Sequence, residues 1–512
     1  MMNTHAPATL LYGGDLRSIL LDASIGNRRL VPGGDEVLGE FSLHDSFDTE
    51  LAHGQRMLIA SDGGLCLLDG RGREIHQETG APGFAADMPD GPVAQVLTKA
   101  VMALRSFLPL GNGELISQSL TLLDDEDKTR ARCHLRVLRA AEGQQVSLVR
   151  LERLRGYDRD FERLEAHLAA ASEIGPLTPR AAVETLFPRA TAYEPKPTVD
   201  MGPDTPAFAA SAAIIAAHLP VARANEDGII ADHDSEFLHD YRVALRKIRS
   251  VVSLFKGVYS HEQAEALKAR FSALMAVTGR LRDLDVYLIE RPHYLEMVPQ
   301  DLRPGVDLLF DRFARQRRTA HRALCRHLQS DDYQAEFKAL EKLFAKPGKR
   351  LEPGPEADHP GLDYAQRLIR KRYRKVRRIA RAIDADTPDE EVHELRIQCK
   401  KLRYLMEFFA PLFGQGQMKP LIKSLKKLQD NLGTFNDCVV QQESLATVLA
   451  NLRGADAATQ MEIARSVGAL TTVLHQRQDA ERARVMATFA AFDSEETRAG
   501  FKALFAKKEA AE

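Results

Sequence analysis

The chain has 512 residues, 44% of them hydrophobic, enough for two to four cores at the ~100–200 residues that one domain usually takes. Charged residues make up 28%, and the longest weakly polar run, around Ser211–Ala222, is well short of the ~20 residues of a membrane-spanning helix, so we expect no membrane segment. The net charge of −2 hides a split: residues 1–200 carry 21 Lys+Arg against 29 Asp+Glu (−8), which leaves 49 against 43 (+6) for residues 201–512.

The amino terminus, MMNTHAPATLLYGG, has no basic head followed by a long apolar stretch, so no secretory signal is expected. Residues 1–187 read as α+β. Met57–Ala60 and Leu65–Leu68 flank an Asp62-Gly63-Gly64 turn, a hairpin signal. A second hairpin is predicted between His134–Leu138 and Val146–Leu151, and helices over Ala94–Phe107 and Asp158–Ala171. Prolines 188, 195, 197, 203 and 206 then break the chain, and prolines 347, 353, 355 and 360 break it again. The predicted boundaries are therefore 1–187 for the first domain and 208–508 for the second, the latter in halves 208–346 and 361–508. Five cysteines (Cys66, Cys133, Cys325, Cys399, Cys438) never adopt CxxC spacing and fit a reduced, cytosolic protein.

The second domain reads as helix almost throughout. In Glu236–Tyr259, residues Tyr241, Leu245, Ile248, Val252 and Phe255 keep the spacing of a buried stripe. In Glu390–Phe413, Leu395, Cys399, Leu402, Met406 and Phe409 do the same. Long amphipathic helices joined by short turns imply antiparallel bundles.

Those two segments are repeats of one another. His239, Arg242, Lys247, Arg249 and Phe255 recur 154 residues later as His393, Arg396, Lys401, Arg403 and Phe409, and Arg246 recurs as Lys400. Gly279 and Asp283 recur as Gly433 and Asp437, whereas Arg282 becomes Asn436. At ~100° per residue, His239, Arg242, Arg246 and Arg249 fall in one sector, as do His393, Arg396, Lys400 and Arg403, each row ~15 Å long. Four positions after Arg242, Arg246 and Arg249 come Arg246, Ser250 and Ser253, so the first row lacks the i, i+4 acidic partners of an ordinary solvated face. Stacked like charges call for an external anion. From Arg367 to Arg381, nine of fifteen residues are basic, among them Arg370, Arg374 and Arg377. Lys423 and Lys427 add charge before Gly433. The whole set suits an extended polyanion held by charge-assisted hydrogen bonds.

HDYRVALRKIRSVVSLF with GRLRDLDVYL, and HELRIQCKKLRYLMEFF with LKKLQDNLGTFNDCVV, resemble the two halves of the conserved-histidine α-helical (CHAD) domain over about residues 208–505. The resemblance implies an all-α domain of two pseudo-symmetric four-helix bundles. It also implies inorganic polyphosphate as partner, held in a basic central cavity, and a cytoplasmic location at polyphosphate granules. The ligand-facing positions would be His239, Arg242, Arg246, Arg249, His393, Arg396, Lys400 and Arg403.

Residues 1–187 resemble a degenerate CYTH (triphosphate-tunnel) domain through HDSFDTELAHGQRMLIASDGGLCLLDG and RARCHLRVLRAAEGQQVSLVRLERLRGY. That implies an antiparallel β fold. The ExExK signature is missing, its nearest counterpart being Glu36-Val-Leu-Gly-Glu40, so carboxylates for a catalytic Mg²⁺ are wanting. We expect no catalysis, no cofactor and no metal. The alternative is a triphosphatase or polyphosphate-processing enzyme using this domain. Nucleic acid is disfavoured, because only Tyr373 and Tyr404 are interleaved with the basic rows for stacking. Asp283 and Asp437 are expected to orient arginines or buttress a helix, and Gly279 and Gly433 to end helices or allow close packing.

Overall fold

A computed structural model describes residues 8–505 apart from 22, 79–82, 172–175, 385–386, 415 and 453–455. Residues 1–7 and 506–508 of the expected domains thus lie outside the described residues. The chain divides into two compact units, Met1–Lys196 and Pro197–Glu512.

Among the described residues the first unit holds ten strands: β1 (Thr9–Gly13), β2 (Ser24–Ile25), β3 (Arg28–Pro32), β4 (Val37–Asp45), β5 (Arg56–Ser61), β6 (Gly64–Asp69), β7 (Glu74–Gln77), β8 (Leu108–Leu123), β9 (Thr129–Ala140) and β10 (Gln145–Arg153). Its helices are α1 (Arg17–Leu20), α2 (Glu50–His53), α3 (Pro92–Ala100), α4 (Asp158–Ala171) and α5 (Pro179–Leu186). All pairings are antiparallel, in the order β1-β10-β9-β8-β4-β5-β6-β7, with β3 joining β8 and β2 joining β3. The sheet forms an antiparallel half-barrel. Its first and last strands meet at one end, where Thr9 N–H donates to Gly72 O at 2.7 Å.

Both predicted hairpins are present, β5/β6 about the Asp62–Gly63 turn and β9/β10 with Leu138 opposite Val146. Strand alternation buries Leu135 and Val137 with Leu164 and Leu168 of α4, and Leu138 and Leu148 with Val183 and Leu186 of α5. The helix predicted over Ala94–Phe107 stops at Ala100, because Val101 turns extended (φ −123°, ψ 147°) and carries Phe107 into a core with Leu58 and Leu97.

The second unit is helical. Its first half comprises α6 (Ala207–Ala224), α7 (Glu226–Ala231), α8 (Ser235–Leu254), α9 (His261–Ala276), α10 (Gly279–Glu296), α11 (Arg303–Leu328), α12 (Asp331–Ala345) and the short α13 (Pro347–Arg350). The second half comprises α14 (Gly361–Ala380), α15 (Asp389–Phe408), α16 (Met418–Ala450), α17 (Ala457–Phe492) and α18 (Glu495–Phe505). Within the halves α6 packs on α8, α10 on α11, α14 on α15 and α16 on α17; between them α8 meets α15 and α11 meets α17.

The 154-residue offset recurs in the element boundaries. It relates the starts of α6 and α14, both ends of α8 and α15, the ends of α10 and α16, and the starts of α11 and α17. Equivalent atoms also touch across the junction of the halves. Ala207 N–H donates to His359 O and Gly361 N–H to Thr205 O, each at 2.9 Å. A Cβ on Gly361 would lie 2.8 Å from Thr205 O, so this close approach requires glycine. The equivalent rings of Phe255 and Phe409 stack at 4.7 Å with 14° between planes, fully buried.

The halves differ in one respect. A turn at Val277–Thr278 separates α9 from α10, whereas α16 runs unbroken through Gly433. Gly279 therefore opens a helix, but Gly433 lies inside one, and a Cβ at either would meet nothing within 4 Å. Neither is a close-packing site. The apolar stretch noted at Ser211–Ala222 extends further than the sequence reading drew it. Ala207–Ala231 is long and apolar enough to cross a membrane by length and composition, but more than half of its key window is buried inside the unit.

Candidate polyanion groove

α8 is capped by Asp234, whose carboxylate accepts from the backbone N–H of Glu236 and Phe237. α15 carries Asp389, Glu390 and Glu391 in its first turn, where the helix dipole favours negative charge. With these ends set, both apolar stripes are buried: Tyr241, Leu245, Ile248, Val252 and Phe255 in one half, Leu395, Cys399, Leu402, Met406 and Phe409 in the other. Burial of the stripes leaves each basic row along the border of its helix, half-buried except for His393, which is exposed.

The two rows meet. The Lys400 ammonium is pushed down to about 8, first by burial and then by the positive charges of Arg246, Arg396 and Arg403, against a smaller opposing effect of Asp437. Arg246 belongs to the other repeat, so the rows share one electrostatic environment where α8 meets α15. Arg242 is also lowered, by burial first; Asp283 opposes the shift, and Arg246, Arg282 and Arg249 act with burial. Nε of Arg246 is buried without a hydrogen-bond partner. A pocket of about 160 Å³ lies beside this cluster, lined by Arg396, Lys400, Arg403, Gln429, Asp430 and Gly433.

The surroundings hold the cations in place and offset their charge only in part, with Asp283 acting on Arg242 and two acidic side chains near the second row. Arg242 Nη1 donates to Thr278 Oγ1, and Arg249 Nη1 lies 3.3 Å from Met275 Sδ. Arg403 approaches Glu407 at 3.4 Å, and Arg396 approaches Asp437 at 4.0 Å. His393 Nδ1 hydrogen-bonds Oδ1 of Asn436, so the residue that departs from the repeat serves to orient the histidine. Its counterpart Arg282 reaches the start of α8 instead, 3.4 Å from Ser235 O. Asp285, which has no counterpart in the second half, is buried and held by Arg317 at 2.6 Å, tying α10 to α11.

The other predicted site residues lie elsewhere. On α15, Lys401 falls on the side that carries Glu394 and Gln398, ~160° around the helix from the Arg396–Lys400–Arg403 row. Lys375 and Arg372 of α14 bond that side, through Glu394 and Gln398. Lys247 occupies the matching place in the first half, near His218 of α6, which is depressed by burial first and then by the charge of Lys247. Arg370 and Arg374 line a pocket of α14, away from the rows. Arg377 is tied to Asp493 at 2.7 Å. Lys423 and Lys427 line a further pocket with Thr488 and Phe492, between α16 and α17.

In the first unit, Cys66, Glu74 and His76 bring their ligand atoms within 4.8 Å of one another, a trio invisible in the sequence because β6 and β7 supply it across a register pair. Glu74 already binds Arg136 and accepts from Thr9 Oγ1 at 2.6 Å, and burial pushes the Cys66 thiol up to about 11. A guanidinium on the central carboxylate and a protonated thiol make this a poor cation site. Of the ExExK-like carboxylates, Glu36 is paired with Arg17 at 2.5 Å. Glu40 faces Glu114, which is paired with Arg139 at 2.7 Å.

The CHAD domain family model matches residues 213–446, which span both basic rows. Two proteins of Mycobacterium tuberculosis, uncharacterized protein MT2285 (strain CDC 1551) and uncharacterized protein Rv2226 (strain H37Rv), are each 27% identical over 228 residues. The match takes in 43% of this chain and 42% of theirs. Among solved structures, the CHAD domain from the plant Ricinus communis aligns with TM-score 0.47 and 24% identity, over 61% of this chain and 97% of that one. PptA from Streptomyces chartreusis aligns with TM-score 0.43 and 15% identity, over 56% and 99%. Residues 213–446 of this chain are a CHAD domain.

Proposed function

We propose that the protein binds inorganic polyphosphate along the groove formed by the two duplicated rows. One arrangement carries this reading: α8 packs on α15, Arg396, Lys400 and Arg403 line one pocket, and half-buried Lys400 is pushed down by burial first and then by Arg246 of the other repeat. The fold therefore gathers like charges from both halves into one place, at a cost that a polyanion would relieve. Arginine forks suit phosphate oxygens bidentately. Nucleic acid fits less well, because Tyr373 and Tyr404 are buried, with Tyr373 stacked on Phe501 at 3.8 Å, and neither can stack on a base. On this reading the protein resides in the cytoplasm at polyphosphate granules, and the first unit is a CYTH-like domain without catalysis.

The test is a pair of double variants titrated with long-chain polyphosphate. Arg242→Ala with Arg396→Ala should lose ~1.5–3 kcal/mol per contact, while Arg56→Ala with Arg71→Ala should bind as the wild type does. Equal losses in the two would overturn the assignment.

A further inference from the structure

α14 carries a second basic surface. A pocket of about 660 Å³ opens between α14 and the carboxyl-terminal ends of α8 and α15, with Leu254, Leu368 and Leu405 among its lining residues. Eight cations line it. Three have partners within the protein: Arg367 pairs with Glu356, Lys375 with Glu394, and Arg372 donates to Gln398. The other five, Lys256, Arg370, Lys371, Arg374 and Arg378, make no side-chain hydrogen bond or ion pair among the described residues. Lys401 is depressed by burial first and then by Arg372, with Lys375 and Lys256 acting the same way against Glu394.

The unpaired cations of this pocket are not part of the repeat. Arg370, Lys371, Arg374 and Arg378 stand 154 residues after Ala216, Ala217, Pro220 and Ala224, and Lys256 stands 154 before Ala410. The rows of the groove are duplicated and the cations of this pocket are not, and the pocket lies on the far side of α15 from Lys400.

We propose that this pocket is a separate anion site that takes a compact, multiply phosphorylated small molecule. The uncommitted cations of α14 span only ~12 Å from Arg370 to Arg378, and Lys256, just past the end of α8, lines the same pocket. A volume of about 660 Å³ lies within the ~300–1,000 Å³ usual for small-molecule sites. No aromatic side chain lines it, so recognition rests on phosphate groups clustered around a small scaffold and not on a stacked base.

The experiment is calorimetric titration of the full chain with inositol hexakisphosphate and, separately, with long-chain polyphosphate. Arg370→Gln with Arg374→Gln, both partly exposed, should weaken inositol hexakisphosphate roughly tenfold or more and leave polyphosphate binding intact. Arg246→Gln with Lys400→Gln should do the reverse, keeping inositol hexakisphosphate affinity within about twofold. A wild type that binds polyphosphate but not inositol hexakisphosphate would overturn the second site and leave the groove standing. The separate site also fails if the groove variant loses both ligands equally, or if the α14 variant loses polyphosphate as the groove variant does.

Discussion

Lys400 is the residue on which the groove reading can be tested by pH. Its folded-state pKa of about 8 lies below the ordinary lysine value, because burial and three arginines disfavour the ammonium. Between about 8 and ~10.4 the unfolded chain therefore holds a proton that the folded chain has lost, so this group makes stability rise with pH across that window. Below about 8 both states are charged and the fold bears the full repulsion. Binding runs the other way, since the anion needs the ammonium. Polyphosphate affinity should fall between pH 7 and pH 9 at fixed ionic strength, and the fall should be much smaller in Lys400→Arg, whose guanidinium stays charged. An identical decline in both proteins would remove Lys400 from the site.

At the scale of the element, the repeats diverge in how they treat one glycine. Gly279 sits at the first turn of α10, while Gly433 is interior to α16 and borders the pocket beneath Arg396, Lys400 and Arg403. A glycine inside a helix costs ~0.5–1 kcal/mol relative to alanine. Because a Cβ at Gly433 meets nothing within 4 Å, Gly433→Ala should raise unfolding free energy by about that amount and leave binding unchanged. Gly433→Glu places a carboxylate beside the three cations, so it should weaken polyphosphate binding while the protein stays folded. Denaturant melts and binding isotherms of the two variants check both statements. If Gly433→Glu binds normally, that face of α16 does not border the ligand.

At the scale of the molecule, an extended polyanion in a groove of eight side chains should show a steep salt dependence. With six to eight phosphate contacts, the slope of log affinity against log salt should be roughly −4 to −6, taking ~−0.7 per contact from single-stranded nucleic acids. Triphosphate should compete poorly, because each row spans ~15 Å. A slope near −1, with triphosphate competing as well as long chains, would reduce the groove to a local anion site. For the first unit, the carboxylates nearest to the missing signature are engaged with arginines or face another carboxylate. Purified protein should therefore release no phosphate from triphosphate or ATP with Mg²⁺ or Mn²⁺. Turnover lost on changing Glu152 or Arg136 would restore the catalytic alternative.

The repeat was legible in the sequence because helix faces follow from spacing alone. Tyr241, Leu245 and Ile248 had to be buried together, and His239, Arg242, Arg246 and Arg249 had to share a side, whatever the helices packed against. The hairpins were legible for a similar reason, since turn residues and alternating apolar runs are local signals. Which rows would meet was not local. That Arg246 lies near Lys400, that Lys401 points instead towards α14, and that Arg377 is taken by Asp493 are all matters of packing between distant segments. Charge along a chain can be counted from residue types alone, but whether two basic helix faces form one groove or two depends on how far each helix is rotated against its neighbours. Only the tertiary structure sets that rotation.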